Sequence, residues 1–463
     1  MRVKVTAKAK AVTPNSAHQT KLIEFLKAYR NWTQYVVNEI WYDEKLPSMR
    51  KLHNRFYSKL RTLGFRAHHC HKIERRAKEI VKSIRKQWLN KLREEVKSEL
   101  RRLYGKKKLT RSEREFIEEL AEEIAQYQLN QMIKSGEFKV SKTHSGRPIL
   151  RKLTARLDYE DYKLDLKNRV LKVAVLNGEW VELKLQWYSY LDRYSDGSWK
   201  PKEILVSYRN NTIWAHIVFE KEVALRRPRT IMGIDINFNN ITHTIVDSRG
   251  KLLSMGVILF KGLRRMLHFK KLAENLQRKY LTSWKNLKRV REVRRRWFSR
   301  GRNILIDSCH YVSKRIVEIA REYDALLVLE DLTWLKFRGN GGSRFNWENQ
   351  LWCYRRIQEY IKYKALLSGL PVVYVDAKGT SKTSPIGDRL SFNNYRWVKL
   401  PSGVITSRDV IASWNLALRG LKRMKGTRGK WCPDSPLNEA MKLQAKRGKP
   451  VQVVSKIPKV SKR

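Results

Sequence analysis

Residues 230–254 read TIMGIDINFNNITHTIVDSRGKLLS. Thr230 to Ile236 sets Met232, Ile234 and Ile236 against small or polar partners, the pattern of a buried strand. A turn at Asn237 to Asn240 leads into a second strand, Ile241 to Val246. The cluster Asp247-Ser248-Arg249-Gly250 is another turn, and Leu252 to Leu259 a third strand, so the stretch predicts a meander. Asp235 is the single acid on its first strand and sits among apolar neighbours. Burying a lone carboxylate is costly unless a partner neutralises it. One reading is a salt bridge or a turn cap; the other is a metal ligand.

The chain around this stretch is 463 residues long, enough for two to four domains. Its 99 Lys and Arg outweigh 44 Asp and Glu for a formal charge of +55, which calls for a polyanionic partner, with nucleic acid the default. The 15 Trp and 20 Tyr could stack on bases beside that charge or fill cores. No run of eighteen apolar residues and no signal peptide is present, and the charge is spread along the whole chain rather than along one amphipathic helix. The expectation is a soluble, cytoplasmic, nucleoid-associated protein without a membrane partner. Cys70, Cys309, Cys353 and Cys432 are dispersed, with no C-x-x-C, so neither a disulfide scaffold nor a cysteine zinc finger is indicated.

N-terminal to the meander, Met1 to Val12 alternates Val3, Val5 and Ala7 with Lys and Arg, as a basic edge strand would. Pro14-Asn15-Ser16 caps a helix whose apolar residues recur at three and four from Leu22 to Trp41. A second helix covers about Leu52 to Leu63, and a third, basic one about Lys72 to Tyr104. A fourth runs from Glu113 to Ile133, with Ser112 and Glu115 as its capping box. His68-His69-Cys70-His71 has the composition of a metal site, but consecutive residues cannot all converge on one ion. From Gly136 the pattern changes to short strands: Phe138 to Val140, Leu150 to Leu157, Val170 to Leu176, Trp180 to Trp187, Glu203 to Tyr208 and Thr212 to Glu220. These suggest a small barrel, joined by the N-terminal strand and interrupted by the helical lobe.

C-terminal to the meander, Lys261 to Arg300 holds 15 Lys and Arg against Glu274 and Glu292 alone. An apolar seam from Leu276 to Trp297 predicts a helical hairpin or one long helix, with its basic face toward phosphates. A helix at Ile304 to Tyr323 is followed by the strand Ala325 to Leu329, ending in Glu330-Asp331. Gly339 to Ser343 reads as a loop and Trp347 to Leu367 as a helix. Pro371 to Val375 is a strand ending in Asp376, and Thr406-Ser407-Arg408-Asp409 opens a helix through Leu418. In an open α/β sheet, strand ends and helix starts share one edge, so Asp235, Glu330 and Asp409 can converge there. Asp331 and Asp376 compete for the same role, and Asp409 could be a helix cap. Converging carboxylates can hold two Mg²⁺ ions for phosphodiester cleavage.

The strings GIDINFNNIT, LLVLEDL and SRDVIASWNLALRG resemble the three split RuvC motifs of the TnpB family, the insertion-sequence-encoded OrfB proteins related to type V CRISPR effectors. YKALLSGLPVVYVDAKGTS and the basic hairpin are similar to that family too. The resemblance is continuous over about Thr230 to Gly420 and architectural before it. It implies an α/β plus all-β chain: an RNase H-like (RuvC) nuclease domain at 228–420 and an N-terminal β-barrel (wedge) made of 1–18 and 136–227. A helical recognition lobe at 19–135 interrupts that barrel, and a basic tail follows at 421–463. It implies Asp235, Glu330 and Asp409 as catalytic carboxylates and metal ligands for two Mg²⁺, with Mn²⁺ as a substitute. It further implies a prokaryotic RNA-guided DNA endonuclease whose partners are a transposon-end guide RNA and target DNA beside a short motif. A catalytically silent RNA-guided repressor and an unguided transposition accessory protein are the alternatives. The family's four-cysteine zinc ribbon is eroded at 377–405: Thr383, Ile386, Lys399 and Ser402 stand where cysteines would be, and no His follows His310. No structural zinc is expected, and Phe392, Tyr395 and Trp397 are expected to hold the loop instead.

Overall fold

The computed structural model describes residues 1–105, 109–138, 146–332, 346–347, 353–388, 390–392, 397–400, 403 and 405–424. The expected loop at 339–343, the strand end at 139–140 and the tail beyond 424 lie outside them. Two units divide the chain: residues 2–221, and Met1 with residues 222–463.

The first unit opens with strand β1 (Arg2–Val12) and then leaves for four helices before returning to strands. Helix α1 (Ser16–Trp41) begins where Asn15 accepts a hydrogen bond from the His18 amide at 2.9 Å, the predicted cap. Its face of Leu22, Phe25, Leu26, Tyr29, Val36, Val37 and Ile40 is fully buried. Helix α2 (Met49–Thr62) ends before Gly64, whose φ of +84° continues no helix. Helix α3 (Ala67–Leu103) starts earlier than its periodicity indicated and takes in the His68 to His71 run. Helix α4 (Arg111–Ser135) does begin with a capping box, but Thr110 and Glu113 form it, two residues before the expected pair.

Strands β2 (Leu153–Leu157), β3 (Tyr162–Asp165), β4 (Val170–Ala174), β5 (Trp180–Gln186), β6 (Lys200–Arg209) and β7 (Thr212–Glu222) complete a seven-stranded sheet ordered β2-β6-β7-β1-β5-β4-β3. β3 was not expected. Nor is β1 an edge strand, because it lies between β7 and β5. Its alternation explains the misreading: Val3, Ala7, Ala9 and Ala11 are buried, while the basic residues occupy the other face, where Lys8 lies 3.8 Å from the Trp214 ring centre.

The second unit carries the meander as β8 (Thr230–Ile236), β9 (Asn240–Val246) and β10 (Leu252–Leu259). Helix α5 (Leu263–Lys279) and helix α6 (Lys288–Glu322) form the basic hairpin. The helices expected on either side of Gly301 are one 35-residue helix. Gly301 is buried where α6 meets α5: a Cβ there would touch Phe269 and the Met266 carbonyl at 3.4 Å, so it serves close packing rather than a break. Strand β11 (Ala325–Glu330), helix α7 (Tyr354–Leu367) and strand β12 (Val372–Val375) follow. Three short strands, β13 (Ser391–Phe392), β14 (Trp397–Lys399) and β15 (Ile405–Ser407), precede helix α8 (Arg408–Met424).

The principal sheet runs β10-β9-β8-β11-β12, antiparallel through the meander and parallel across β8, β11 and β12. Each of its faces has a core. Met232, Ile234, Leu327 and Leu329 pack with α6 and α7, while Ile231, Val328 and Val246 pack with α8. Burial on both faces makes β8 and β11 read as nearly continuous apolar runs. Among the described residues no helix is long and apolar enough to cross a membrane.

Candidate active site

The parallel register of β8 and β11 pairs Leu329 with Ile234, so Glu330 and Asp235 stand one step on, at the same level of neighbouring strands. Adjacent strands lie about 4.8 Å apart, and residues at one level point to one face. Helix α8 brings the third acid. Gly233 faces the α8 backbone at Ser413 and Ala417, and Gly420 faces the side chains of Val328 and Ile231, so the lack of a side chain at each glycine lets helix and sheet approach closely. Thr244 and Ser413 hydroxyls meet at 2.6 Å across that contact. Asp409, in the first turn of α8, is thereby carried to the edge where β8 and β11 end.

Asp235 is 8% exposed. Its Oδ2 accepts from Asn237 Nδ2 at 2.8 Å, and among the described residues no cation forms an ion pair with it. Burial pushes its pKa well above the carboxylate range; Glu330 and then Asp409 push it further, against weaker opposition from Asn237 and Arg408. Burial also raises Glu330, with a further push from Asp376, while the Thr380 hydroxyl, 3.3 Å from Oε1, and Arg419 pull it down. The salt-bridge reading of Asp235 therefore lacks its cation. Mutual repulsion of this kind is what a shared cation relieves, and hard oxygen donors suit Mg²⁺ or Mn²⁺. The donor set fits a two-metal site, although the three carboxylates do not all lie within 4.8 Å of one another.

The competing acids are placed differently. Asp331 is exposed, with its amide bonded to the Val375 carbonyl at 2.7 Å. Asp376 is exposed and accepts from the Lys378 amide at 3.0 Å, capping a turn. Sequence reasoning missed the groups that hold the edge together. Gln358 on α7 donates to the Glu330 carbonyl at 2.8 Å. Asn415 donates to the carbonyls of Thr380 and Thr383 at 2.7 and 2.8 Å. Arg408 donates to Ser381 at 3.0 Å, and Arg419 to the carbonyls of Asp376 and Lys378. For three of them the signal was proximity to a motif, since Arg408 adjoins Asp409 and Asn415 and Arg419 follow on the same helix, whereas nothing local marked Gln358.

At the eroded ribbon positions, Thr383 donates its hydroxyl to the Gly379 carbonyl, Ile386 packs on the core beside α8, and Lys399 is exposed. Ser402 and Tyr395 lie outside the described residues. Of the aromatic residues expected to hold this loop, Trp397 is 49% exposed. Val398, Leu390 and Leu400 are buried there; on β14 the pleat turns Val398 inward and its neighbours outward.

A family model described as Cas12f1-like, TNB domain, matches residues 354–416, which span α7 to the first half of α8. The solved Cas12f1–sgRNA–target DNA complex aligns with 90% of this chain and 99% of its own, at a TM-score of 0.48 and 14% identity. The CRISPR-associated endodeoxyribonuclease Cas12f2 of a Micrarchaeota archaeon is 26% identical over 249 residues, 51% of this chain and 43% of that protein. A TnpB-like protein of Aquifex aeolicus is 25% identical over 49% of this chain and 79% of its own length. A TnpB-like protein of Methanocaldococcus jannaschii is 31% identical over 232 residues, 49% of this chain and 81% of the relative. At that identity across four-fifths of the relative, the chain belongs to the family of TnpB-like proteins.

Proposed function

We propose that this protein is an RNA-guided DNA endonuclease with Asp235, Glu330 and Asp409 as its metal-binding carboxylates. One observation carries the reading: a buried aspartate held electrostatically against two further carboxylates, with no cation paired to it among the described residues. Two Mg²⁺ ions bound there would supply Lewis-acid stabilisation of the scissile phosphate and an activated water. The chain's own part is positioning. Asn237 fixes one oxygen of Asp235, Thr380 fixes one of Glu330, and α8 holds Asp409 to the sheet. The order of the five-stranded sheet, with its meander and parallel pair, supports an RNase H-like assignment for residues 228–420.

The charge of +55 supports nucleic-acid partners, and the Cas12f2 relative's name is that of a deoxyribonuclease. In this reading the guide is a transposon-end RNA and base pairing selects the target. The seven-stranded sheet (1–18 and 136–227) is the wedge and the helices of 19–135 the recognition lobe that reads a short adjacent motif. The test is to sequence RNA that copurifies with the protein, programme it against a DNA library and add Mg²⁺. Cleavage confined to guide-matched DNA is the expected result. Guided binding without cleavage at any divalent concentration would make the chain a silent repressor, and absence of a discrete RNA would make it an unguided accessory protein.

A further inference from the structure

Outside the acid cluster, one group of side chains places metal-binding atoms together: His53 on α2 with His71 and Glu74 on α3, whose ligand atoms all lie within 4.8 Å of one another. His71 and Glu74 are three residues apart and share a helix face. Glu74 Oε2 is 3.7 Å from His53 Nδ1 and 3.9 Å from His71 Nδ1, and the two imidazoles stack 4.7 Å apart at 8°. Those separations are too long for hydrogen bonds. Ligands about 2.0–2.1 Å from a tetrahedral ion stand roughly 3.4 Å from each other; Glu74 is within about half an ångström of that from each ring, and the two stacked imidazoles would tilt apart to bring their in-plane nitrogens onto one ion.

A second observation points the same way. Glu74 is fully buried, and neither of its oxygens has a hydrogen-bond partner; His53 Nδ1 is buried and unpartnered too. An unsatisfied buried carboxylate costs several kcal/mol, and neither helix supplies a donor that removes the cost. We propose that His53, His71 and Glu74 form a zinc-class divalent metal site that staples α2 to α3. Two imidazoles and one carboxylate select Zn²⁺, Co²⁺ or Ni²⁺ over Mg²⁺ or Ca²⁺. The His71 side chain is 52% exposed, so ion entry and a fourth, water ligand come from that side. Tyr57, its ring centre 4.1 Å from that of His53, walls the other. The expectation of no zinc rested on the ribbon positions and the scattered cysteines, and this site uses neither.

The test is zinc content and zinc-dependent melting of tag-free full-length protein, stripped by chelator, reloaded with Zn²⁺ and desalted. Wild-type protein and Asp235→Ala should each retain about one zinc per chain and melt higher with it. His71→Gln, at an exposed position that tolerates substitution, should bind Zn²⁺ at least about 100-fold more weakly and lose the melting shift, beyond the 10–100-fold of losing an outer partner. His53→Gln should behave alike, and Co²⁺ loading should give the visible spectrum of a four-coordinate nitrogen–oxygen site in wild type and Asp235→Ala but in neither histidine variant. Equal zinc retention in wild type and His71→Gln, or no retention in either, would overturn the proposal in favour of a plain His–Glu ion pair.

Discussion

Gly233 on β8 and Ser413 on α8 are so close that a Cβ at Gly233 would overlap the Ser413 carbonyl oxygen. The same Cβ would also crowd the Ala417 amide, so the obstruction is backbone and cannot rotate away. Gly233→Ala should cost about 3 kcal/mol or more, or leave the protein unfolded. At Gly420 the nearest atoms belong to the Val328 and Ile231 side chains rather than to backbone, and Gly420→Ala should cost less. Chemical denaturation of the two variants checks the order.

The acid cluster should make stability depend on pH and on divalent cations. The folded pKa of Asp235 is raised above its unfolded value of about 3.8, and that of Glu330 above about 4.5. Folded protein then binds these protons more tightly than unfolded protein. Their contribution is fully present below the unfolded values and is lost as pH rises through the folded ones. Melting temperature measured with chelator present should fall as pH rises above about 4 from this source, and Asp235→Asn should flatten the fall. Added Mg²⁺ should restore wild type at neutral pH and affect Asp235→Asn much less. A wild-type curve indifferent to Mg²⁺ would count against a metal site there.

Arg85 on α3 gives the first unit a comparable keystone. Arg85 is 8% exposed, and its guanidinium donates to the carbonyls of Trp41 and Asp43, each at 2.7 Å, where α1 has ended. Those carbonyls have no continuing helix to satisfy them. Arg85→Leu keeps bulk and removes the donors, and should cost about 2–3 kcal/mol. Arg85→Lys should recover only part of that, because an ammonium lacks the second guanidinium nitrogen, Nη1, which donates to the Glu44 carbonyl. Urea melts would separate the two outcomes.

How far the sequence revealed this molecule follows from which signals are local. The meander was legible because Met232, Ile234 and Ile236 alternate between defined turns, and Asp235 stood out as the lone charge among them. Asn15 was legible as a cap because capping acts within four residues. β3 was not, since Tyr162 to Asp165 is too short and mixed to show a period. The central place of β1 was hidden because a strand with one solvated face looks alike at an edge or in the middle. The unbroken run of α6 through Gly301 was hidden, since the partner that glycine admits, Phe269, lies more than thirty residues away in the chain. His53 was invisible as a candidate ligand for the same reason: α2 brings it to His71 and Glu74 only once both helices are packed.

Substitution of the three acids should separate cleavage from binding. Asp235→Ala removes a ligand from a site whose ion tolerates little change in geometry. Loss of several kcal/mol of transition-state stabilisation corresponds to a fall in cleavage of roughly 10³-fold or more. Binding of guide and target should persist and could tighten, because a carboxylate beside the scissile phosphate repels it when no metal intervenes. Glu330→Ala and Asp409→Ala should match Asp235→Ala, and the double variants should be no worse than the single ones, as for residues that act as a unit. Asp331→Ala and Asp376→Ala should retain most activity, since both side chains are exposed and Asp376 already caps a turn. Cleavage time courses on guide-loaded protein, alongside gel-shift titrations of the same preparations, provide the comparison. If Asp376→Ala were as inactive as Glu330→Ala, the metal-binding set would have to include Asp376.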